Sequence, residues 1–509
     1  EDKLQSVTSI VKQIAFLESL EDFKAQKKFT DILIEPNIKG ISSTDFSDVD
    51  SIISRGYKAA LPYKNYFKKL ADSIYGIEPE TKPEYLLDRK VYSFDRVEVT
   101  GNKYYSNNQI LGVLEIKPGM SVDKKMLSDR IDLLYGKTWF DKVKYRILPR
   151  NDSLILNIEC TEASKSMLFG GLYYDSYIRS GILFNATFKD LLTRSSLIDF
   201  DSFIGQYYRM RLTFLQFVNH NQKTGFSAVF YTDKNQLPSL NLLNDPGIVN
   251  NYNFNAIFSI NKYFGLNQMM NVSLSVDDNS YIPAFIRSDN LKRVTCNFLS
   301  AIYNYQINTL DTKYFPDKGT TFNLSATASK LLNGTIKTDF AKIRYTKGYP
   351  GKFSFNPAYA VSAGLRNYFS TNEKLTVSFY GNLVYTFQPD STVSLQNIYY
   401  LGGIESFALK SVPSTGFLLN EIPVTKLAGI GAEIDIKILR DFHLTLMSSV
   451  YAAKEFNESY KSTLLAGYGI QAGYLSVLGP IKLGLMQGLS SNKRYFSSVK
   501  GYVSIGYTF

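Results

Sequence analysis

The chain has 509 residues and a net charge of +11, and it is 14% aromatic, with 35 Phe and 37 Tyr against one Trp at a mean hydropathy of −0.13. Charged residues at 20% and apolar ones at 44% exclude a disordered chain, and no apolar run reaches the roughly 18 residues a helical membrane span needs. Two cysteines, Cys160 and Cys296, and two histidines, His220 and His443, exclude a disulfide scaffold and argue against a zinc site.

In chain order, Phe29 to Pro36 reads as a strand ended by proline, and Ser47 with Asp50 starts a helix through Val49, Ile52, Ile53 and Ala60. Residues 73–90, with Pro79, Pro83 and four carboxylates, read as a linker. Val91 to Val99 alternates and stops at the turn pair Gly101-Asn102. Asn107-Asn108 can cap a short helix carrying Ile110, Leu111 and Leu114, which ends at Lys117-Pro118-Gly119. A second helix over 122–136 places Leu127, Ile131, Leu134 and Tyr135 on one face. Val143, Tyr145 and Ile147 then alternate, and after a turn through Arg150-Asn151-Asp152 a last strand runs from Leu154 to Cys160. The order over 91–162 is β-α-α-β-β.

Beyond residue 163 the period is two. Val377, Phe379, Leu383, Tyr385 and Phe387 share one face, and Thr376, Ser378, Tyr380, Asn382 and Thr386 the other. Ile430, Ile434, Ile436 and Ile438 stand opposite Glu433, Asp435 and Lys437, and Phe442, Leu444, Leu446 and Val450 opposite His443, Thr445, Ser449 and Tyr451. Composition alone leaves a large soluble sandwich or propeller open, but their strands average about five or six residues, whereas a tilted membrane strand needs about ten. Sixteen such strands are expected, near 166–176, 180–190, 195–206, 208–218, 224–234, 249–262, 267–278, 291–308, 320–331, 355–369, 375–388, 428–438, 441–452, 464–475, 479–489 and 498–509. Sixteen is even, as a single-chain bacterial barrel requires. The two long intervals, 332–354 and 389–427, fall on the same, extracellular side. The chain ends with Val503, Ile505, Tyr507 and Phe509 on one face; Tyr507 and Phe509 resemble the C-terminal insertion signal of bacterial outer-membrane proteins.

The β-α-α-β-β order, with Gly101-Asn102, Lys117-Pro118-Gly119 and Trp139-Phe140-Asp141-Lys142-Val143, resembles a POTRA domain. Gly171-Leu172-Tyr173-Tyr174-Asp175 and Asp311-Thr312-Lys313-Tyr314-Phe315-Pro316-Asp317-Lys318-Gly319 resemble the first barrel strand and a periplasmic turn of the outer-membrane protein 85 superfamily. The block from Asp31 to Ala60 resembles the C-terminal end of a bacterial patatin-like α/β lipid acyl hydrolase. The implied fold is mainly β: a 16-stranded transmembrane antiparallel barrel, preceded by one POTRA domain and a patatin-tail fragment. Its divisions are a remnant over 1–72, a linker over 73–90, the POTRA domain over 91–162 and the barrel over 163–509.

The superfamily resemblance implies a long loop folded into the lumen, whose Arg-Gly-aromatic motif grips an acidic residue of the wall. Here the loop starts at Leu401-Gly402-Gly403 but continues Ile404-Glu405-Ser406-Phe407-Ala408-Leu409-Lys410, without Arg-Gly. Glu433 and Asp435 point inward on the register above, and Lys410 is a candidate partner, although a point charge does not replace a planar fork. The patatin resemblance implies a Ser-Asp dyad on GxSxG and Asp-Gly motifs, and these 509 residues contain neither. No catalytic, cofactor or metal residue is therefore expected in the chain, which reads as the C-terminal part of a longer protein, the alternative being that the front segment is a vestige.

Residues from 166 onward carry 31 basic and 21 acidic groups, a basic barrel suited to lipopolysaccharide phosphates and anionic lipid or equally a set of solvated lysine loops. Nucleic-acid motifs are absent. The expected partners are outer-membrane lipids and lipopolysaccharide, the insertion machinery during assembly, and periplasmic or outer-membrane proteins through the POTRA domain. Two functions follow from the resemblances: a lipid hydrolase anchored to or delivered by the barrel, resembling patatin autotransporters of type V secretion, or a translocation and assembly component. A non-catalytic scaffold is the third reading. All place the chain in a Gram-negative outer membrane, with the POTRA domain and front segment periplasmic unless the latter is exported.

Overall fold

The structure, a computed structural model, describes residues 27–38, 49–74, 91–137, 139–150, 153–177, 179–218, 221–238, 248–285 and 291–338. It also describes 342–345, 356–387, 397–404, 410–439, 441–455, 462–476, 479–491 and 498–507. Two units emerge, Glu1–Arg89 and Lys90–Phe509.

In the first unit, helix α1 (Val49–Ala60) leads through a single 3-10 turn (Leu61–Tyr63) into helix α2 (Lys64–Ile74). Pro62 sits in the first turn, where its missing N–H costs nothing. The helix expected through Val49 and Ala60 is present, but residues 32–38 form no strand, correcting the expectation for 29–36. A strand needs a neighbour for its N–H and C=O groups, and among the described residues of this unit there is no other strand. Ser47 and residues 75–90 of the linker lie outside the described residues.

The second unit opens with β1 (Val91–Ser93), β2 (Arg96–Thr100), α3 (Asn107–Leu114), β3 (Ser121–Asp123), α4 (Lys124–Tyr135), β4 (Phe140–Arg150) and β5 (Ser153–Glu162). β2 pairs parallel and β4 antiparallel with the central β5, while β1 and β3 form a separate ribbon. The first expected strand is therefore split at Phe94-Asp95. Phe94 is fully buried, and the Asp95 carboxylate accepts the Leu154 N–H at 2.9 Å. Ser106, not Asn107-Asn108, caps α3, in a reciprocal box with Gln109. That helix stops at Glu115, in the left-handed region, before the Pro-Gly pair is reached. Gly101 is required where it stands: its φ is +84°, and a Cβ would lie 2.2 Å from the Cys160 carbonyl oxygen. Trp139 stacks on Tyr105 at 4.6 Å over the helices' buried face, which includes Leu127 and Leu134.

The barrel begins with β6 (Ser166–Asp175), β7 (Arg179–Lys189), β8 (Ser196–Gly205), β9 (Tyr208–Phe217), β10 (Thr224–Pro238) and β11 (Ile248–Phe264). Next come β12 (Gln268–Phe285), β13 (Leu291–Asn308), β14 (Gly319–Thr338), the short β15 (Lys342–Tyr345), β16 (Ala358–Asn372) and β17 (Leu375–Phe387). After two inner ribbons, β18 (Tyr399–Leu401) and β19 (Ser411–Val412), the wall resumes with β20 (Ile422–Leu439), β21 (Phe442–Glu455), β22 (Thr463–Ser476), β23 (Gly479–Ser490) and β24 (Val499–Ile505). Setting aside β15, β18 and β19, sixteen antiparallel strands close the barrel. The expected faces hold: Phe379, Leu383, Phe387, Ile430 and Val450 are exposed to the lipid side, and Ser378, Thr386, His443, Ser449 and Tyr451 are buried toward the lumen. Two expectations change. β14 and β15 extend into the 332–354 interval as a hairpin, and the last strand ends at Ile505, not at 509. At Gly506 the backbone turns with φ +112°.

The POTRA domain meets the periplasmic turns of the barrel. Glu115 accepts ion pairs from Arg130 of its own domain and from Lys223 of the β9–β10 turn, and Gln109 Nε2 donates to Ser195 Oγ at 3.2 Å. Burial opposes ionisation of Glu115, but hydrogen bonds from Lys223 and Arg130 outweigh it and hold its carboxyl below the usual range. A depressed folded pKa stabilises at neutral pH, and that contribution is lost as pH falls from about 4.5 through the lowered value. Glu115→Gln removes it at every pH. The single Trp139 reports on this domain, and its thermal transition is expected to fall by about 4 °C in the variant at pH 7 and to converge with the wild type in acid.

Candidate functional site

The segment between β17 and β20 turns back into the lumen. β18 pairs antiparallel with β20 and parallel with β19, burying Ile398, Leu401 and Phe417 almost completely. Gly402 and Gly403 make the turn possible, with φ +130° and +83°. A Cβ on Gly402 would lie 2.0 Å from the Leu418 carbonyl oxygen. The Gly403 N–H donates to Phe417 O at 2.9 Å, and its carbonyl accepts from Ser414 N at 2.8 Å. The returning leg runs against the wall where β22 and β23 carry glycines: a Cβ on Gly467 would lie 1.8 Å from Thr415 O, and one on Gly488 2.6 Å from Gly416 O. The wall is shaved to glycine where the loop presses on it.

Inward-facing charges form local pairs. Glu433 accepts from Arg366 Nη1 at 3.3 Å and from Ser378 Oγ at 3.2 Å, and the Arg366 guanidinium lies 4.3 Å from the Tyr380 ring centre. Asp435 is held by His443 at 2.6 Å and Thr445 at 2.8 Å. Lys410 lines a luminal cavity of about 690 Å³ together with Arg366 and Asp277. The two wall carboxylates thus point inward as expected, but their partners come from the wall, and the pairing considered for Lys410 is not the one they make. Arg366 was missed in the sequence, although the inward alternation Ser362, Gly364, Arg366, Tyr368 carries it. Replacing Glu433 by Gln leaves Arg366 with no carboxylate beside it, and a loss of up to about 3 kcal/mol is expected, read as a lowered unfolding temperature in heat-modified gel mobility.

The periplasmic turn Asp311–Gly319 also reaches inward. Phe315 stacks on His443 at 4.2 Å, and Asp317 accepts from Lys437 at 3.2 Å and Thr376 at 3.1 Å, so the turn crosses from the β13–β14 side to β17, β20 and β21. Tyr507 is exposed, 5.8 Å from the ring of Tyr314; Phe509 lies outside the described residues.

The barrel closes weakly at one seam. β24 and β6 share two residue pairs, Ser504↔Asp175 and Ile505↔Tyr174, whereas β6 and β7 share ten. The join uses only the extracellular end of β6. From Ser166 to Leu172 that strand has no partner on the seam side among the described residues, and consecutive side chains are exposed on both faces: Leu168 at 65%, Phe169 at 54% and Leu172 at 77%. Inside the seam, the loop touches both edges. Glu421 accepts from Lys500 of β24 at 2.7 Å, and Leu419 packs with Tyr173, Leu183 and Phe203 of β6, β7 and β8.

A closed sixteen-stranded barrel with lipid-facing apolar residues, an inward loop and an appended POTRA domain defines an outer-membrane β-barrel protein whose POTRA domain is periplasmic. Residues 152–509 match the model of the OMP85 superfamily, and the chain belongs to that superfamily. Residues 92–163 match the POTRA model, described as a surface antigen variable number repeat. Among solved structures, BamA from Haemophilus ducreyi lacking POTRA domains 1–3 is similar at 13% identity and TM-score 0.54, covering 92% of this chain and 94% of that one. CdiB from Acinetobacter baumannii is similar at 12% identity and TM-score 0.51, covering 82% and 74%. No curated protein matches.

Proposed function

We propose that this protein is a translocation or assembly component of the outer membrane, which receives extended polypeptide at the β6–β24 seam. The observation that carries the reading is the edge of β6 from Ser166 to Leu172, which has no strand partner on the seam side among the described residues. A row of N–H and C=O groups left open at membrane depth costs several kcal/mol per group, and an incoming strand removes that cost. The loop leg at Leu418–Glu421 ties the seam from inside, so arrival of a strand and movement of the loop are coupled. The POTRA domain, held by Glu115 over the periplasmic turns, offers a place for periplasmic or outer-membrane partner proteins. The test is the folding of a urea-denatured outer-membrane barrel protein into liposomes with and without this protein. An accelerated appearance of heat-modifiable client supports the reading, and equal rates overturn it.

A second reading, a patatin-like lipid acyl hydrolase anchored to or delivered by the barrel, is favoured by the front unit. The residues from Asp31 to Ala60 carry that resemblance, and Ile53, Tyr57 and Leu61 expose apolar surface that a neighbouring α/β domain would cover. It requires a serine on a GxSxG elbow that these 509 residues do not contain. Labelling of the natural gene product by a fluorophosphonate, with fatty acid release from phospholipid, would support it; a full-length product that does neither would remove it.

A further inference from the structure

The extracellular end of the barrel holds a second cavity, of about 430 Å³, separate from the large luminal one. Tyr177 and Arg179 border it from the β6–β7 turn, Tyr207 from the β8–β9 turn, Asn235 from the end of β10, and Asn420 and Glu421 from the luminal loop. Three buried polar atoms on its lining have no hydrogen-bond partner: Tyr177 Oη, Asn235 Oδ1 and Asn420 Oδ1. Several neighbouring polar groups of the lining are already paired. Asn235 Nδ2 donates to Asp233 at 2.8 Å, Tyr207 Oη donates to Gln236 at 2.7 Å, and Glu421 accepts from Lys500 and from the Leu418 N–H at 2.6 Å. Buried polar atoms without partners are uncommon, and three around one cavity describe the ligand that would complete them.

The two amide oxygens need donors, so an acceptor-only anion such as sulfate does not complete the site. A cation would meet Arg179 at the rim, with Glu421 already neutralised by Lys500. Neutral hydroxyl groups fit both conditions, and the rings of Tyr177 and Tyr207 supply apolar faces for a C–H surface. The volume is in the range of small-molecule sites. We propose that this cavity binds a pyranose sugar presented from outside the cell, with Asn235, Asn420 and Tyr177 meeting its hydroxyls and Arg179 selecting a sugar that carries a carboxylate.

The experiment is saturation-transfer NMR on the full chain in lauryldimethylamine oxide, a detergent without a sugar headgroup, with glucose and glucuronate as probes. Both are expected to receive transfer, glucuronate at lower concentration. Tyr177→Phe, which removes one oxygen, is expected to weaken both about fivefold, and Asn235→Leu about tenfold. Arg179→Gln is expected to remove the preference for glucuronate while glucose binding persists. Heat-modifiable mobility of each variant establishes that the barrel has folded. Absence of transfer to either sugar at tens of millimolar, which leaves the three atoms to water, overturns the proposal, as does transfer unchanged in Tyr177→Phe and Asn235→Leu.

Discussion

Cysteines placed at Tyr174 and Ile505 are expected to form a disulfide that stops client handling, and reduction is expected to restore it. The two positions are directly paired across the seam, where Cβ atoms of antiparallel neighbours lie within disulfide reach. Both side chains face the lipid side and are exposed, so the substitution empties no core. Native Cys160 and Cys296 are buried and do not compete. Among the described residues two pairs close this seam, so one covalent bond there changes its opening far more than the same bond between β6 and β7, which share ten pairs. The control is therefore a cysteine pair at Leu172 and Ile182, paired across β6 and β7, which is expected to oxidise with little effect on client folding. Loss of activity in both oxidised proteins would point to general damage rather than to the seam.

Gly467→Val is expected to displace the luminal loop and raise single-channel conductance severalfold in planar bilayers. The Cβ alone would lie 1.8 Å from the Thr415 carbonyl oxygen, a contact with backbone that no rotamer relieves. Overpacking of this kind costs roughly 1–3 kcal/mol when neighbours can shift, and here the element able to shift is the loop, since the wall is held by its ladder. Gly381→Ala, whose nearest neighbour would be 3.6 Å away, is expected to conduct as the parent does. A folded Gly467→Val protein with unchanged conductance would mean that the loop does not block the pore.

The barrel was legible because a strand between lipid and lumen must alternate. That rule placed Phe379 and Ile430 outside and Ser378 and Tyr451 inside without any knowledge of their neighbours. The POTRA order was legible for the same reason, while its details were not: whether Ser106 or Asn107 caps α3 depends on which side chain reaches back to the helix, and both are good caps. The site was legible only in part. Gly402 and Gly403 announced a tight turn, and Glu433 and Asp435 announced inward carboxylates. Their partners are Arg366, two wall strands earlier, and His443, on the next strand of the same hairpin; which of several inward polar side chains each carboxylate takes depends on the register of β16, β17, β20 and β21, which alternation alone does not give. Gly467 and Gly488 likewise read as ordinary strand glycines until the loop is seen against them. The weak seam was hidden by the terminal alternation through Tyr507, which suggested a longer last strand than Val499–Ile505.

The central claim is that the open edge of β6 pairs with an incoming strand, and site-specific photocrosslinking tests it most directly. A photoreactive residue is placed at Leu168 on the open stretch, and another at Phe258, an exposed lipid-facing residue of β11 far from the seam. With an unfolded outer-membrane barrel client in proteoliposomes, crosslinks are predicted from position 168 to the client's terminal strand and not from position 258. Equal capture at both positions, or none at 168 while the client folds, would contradict the account.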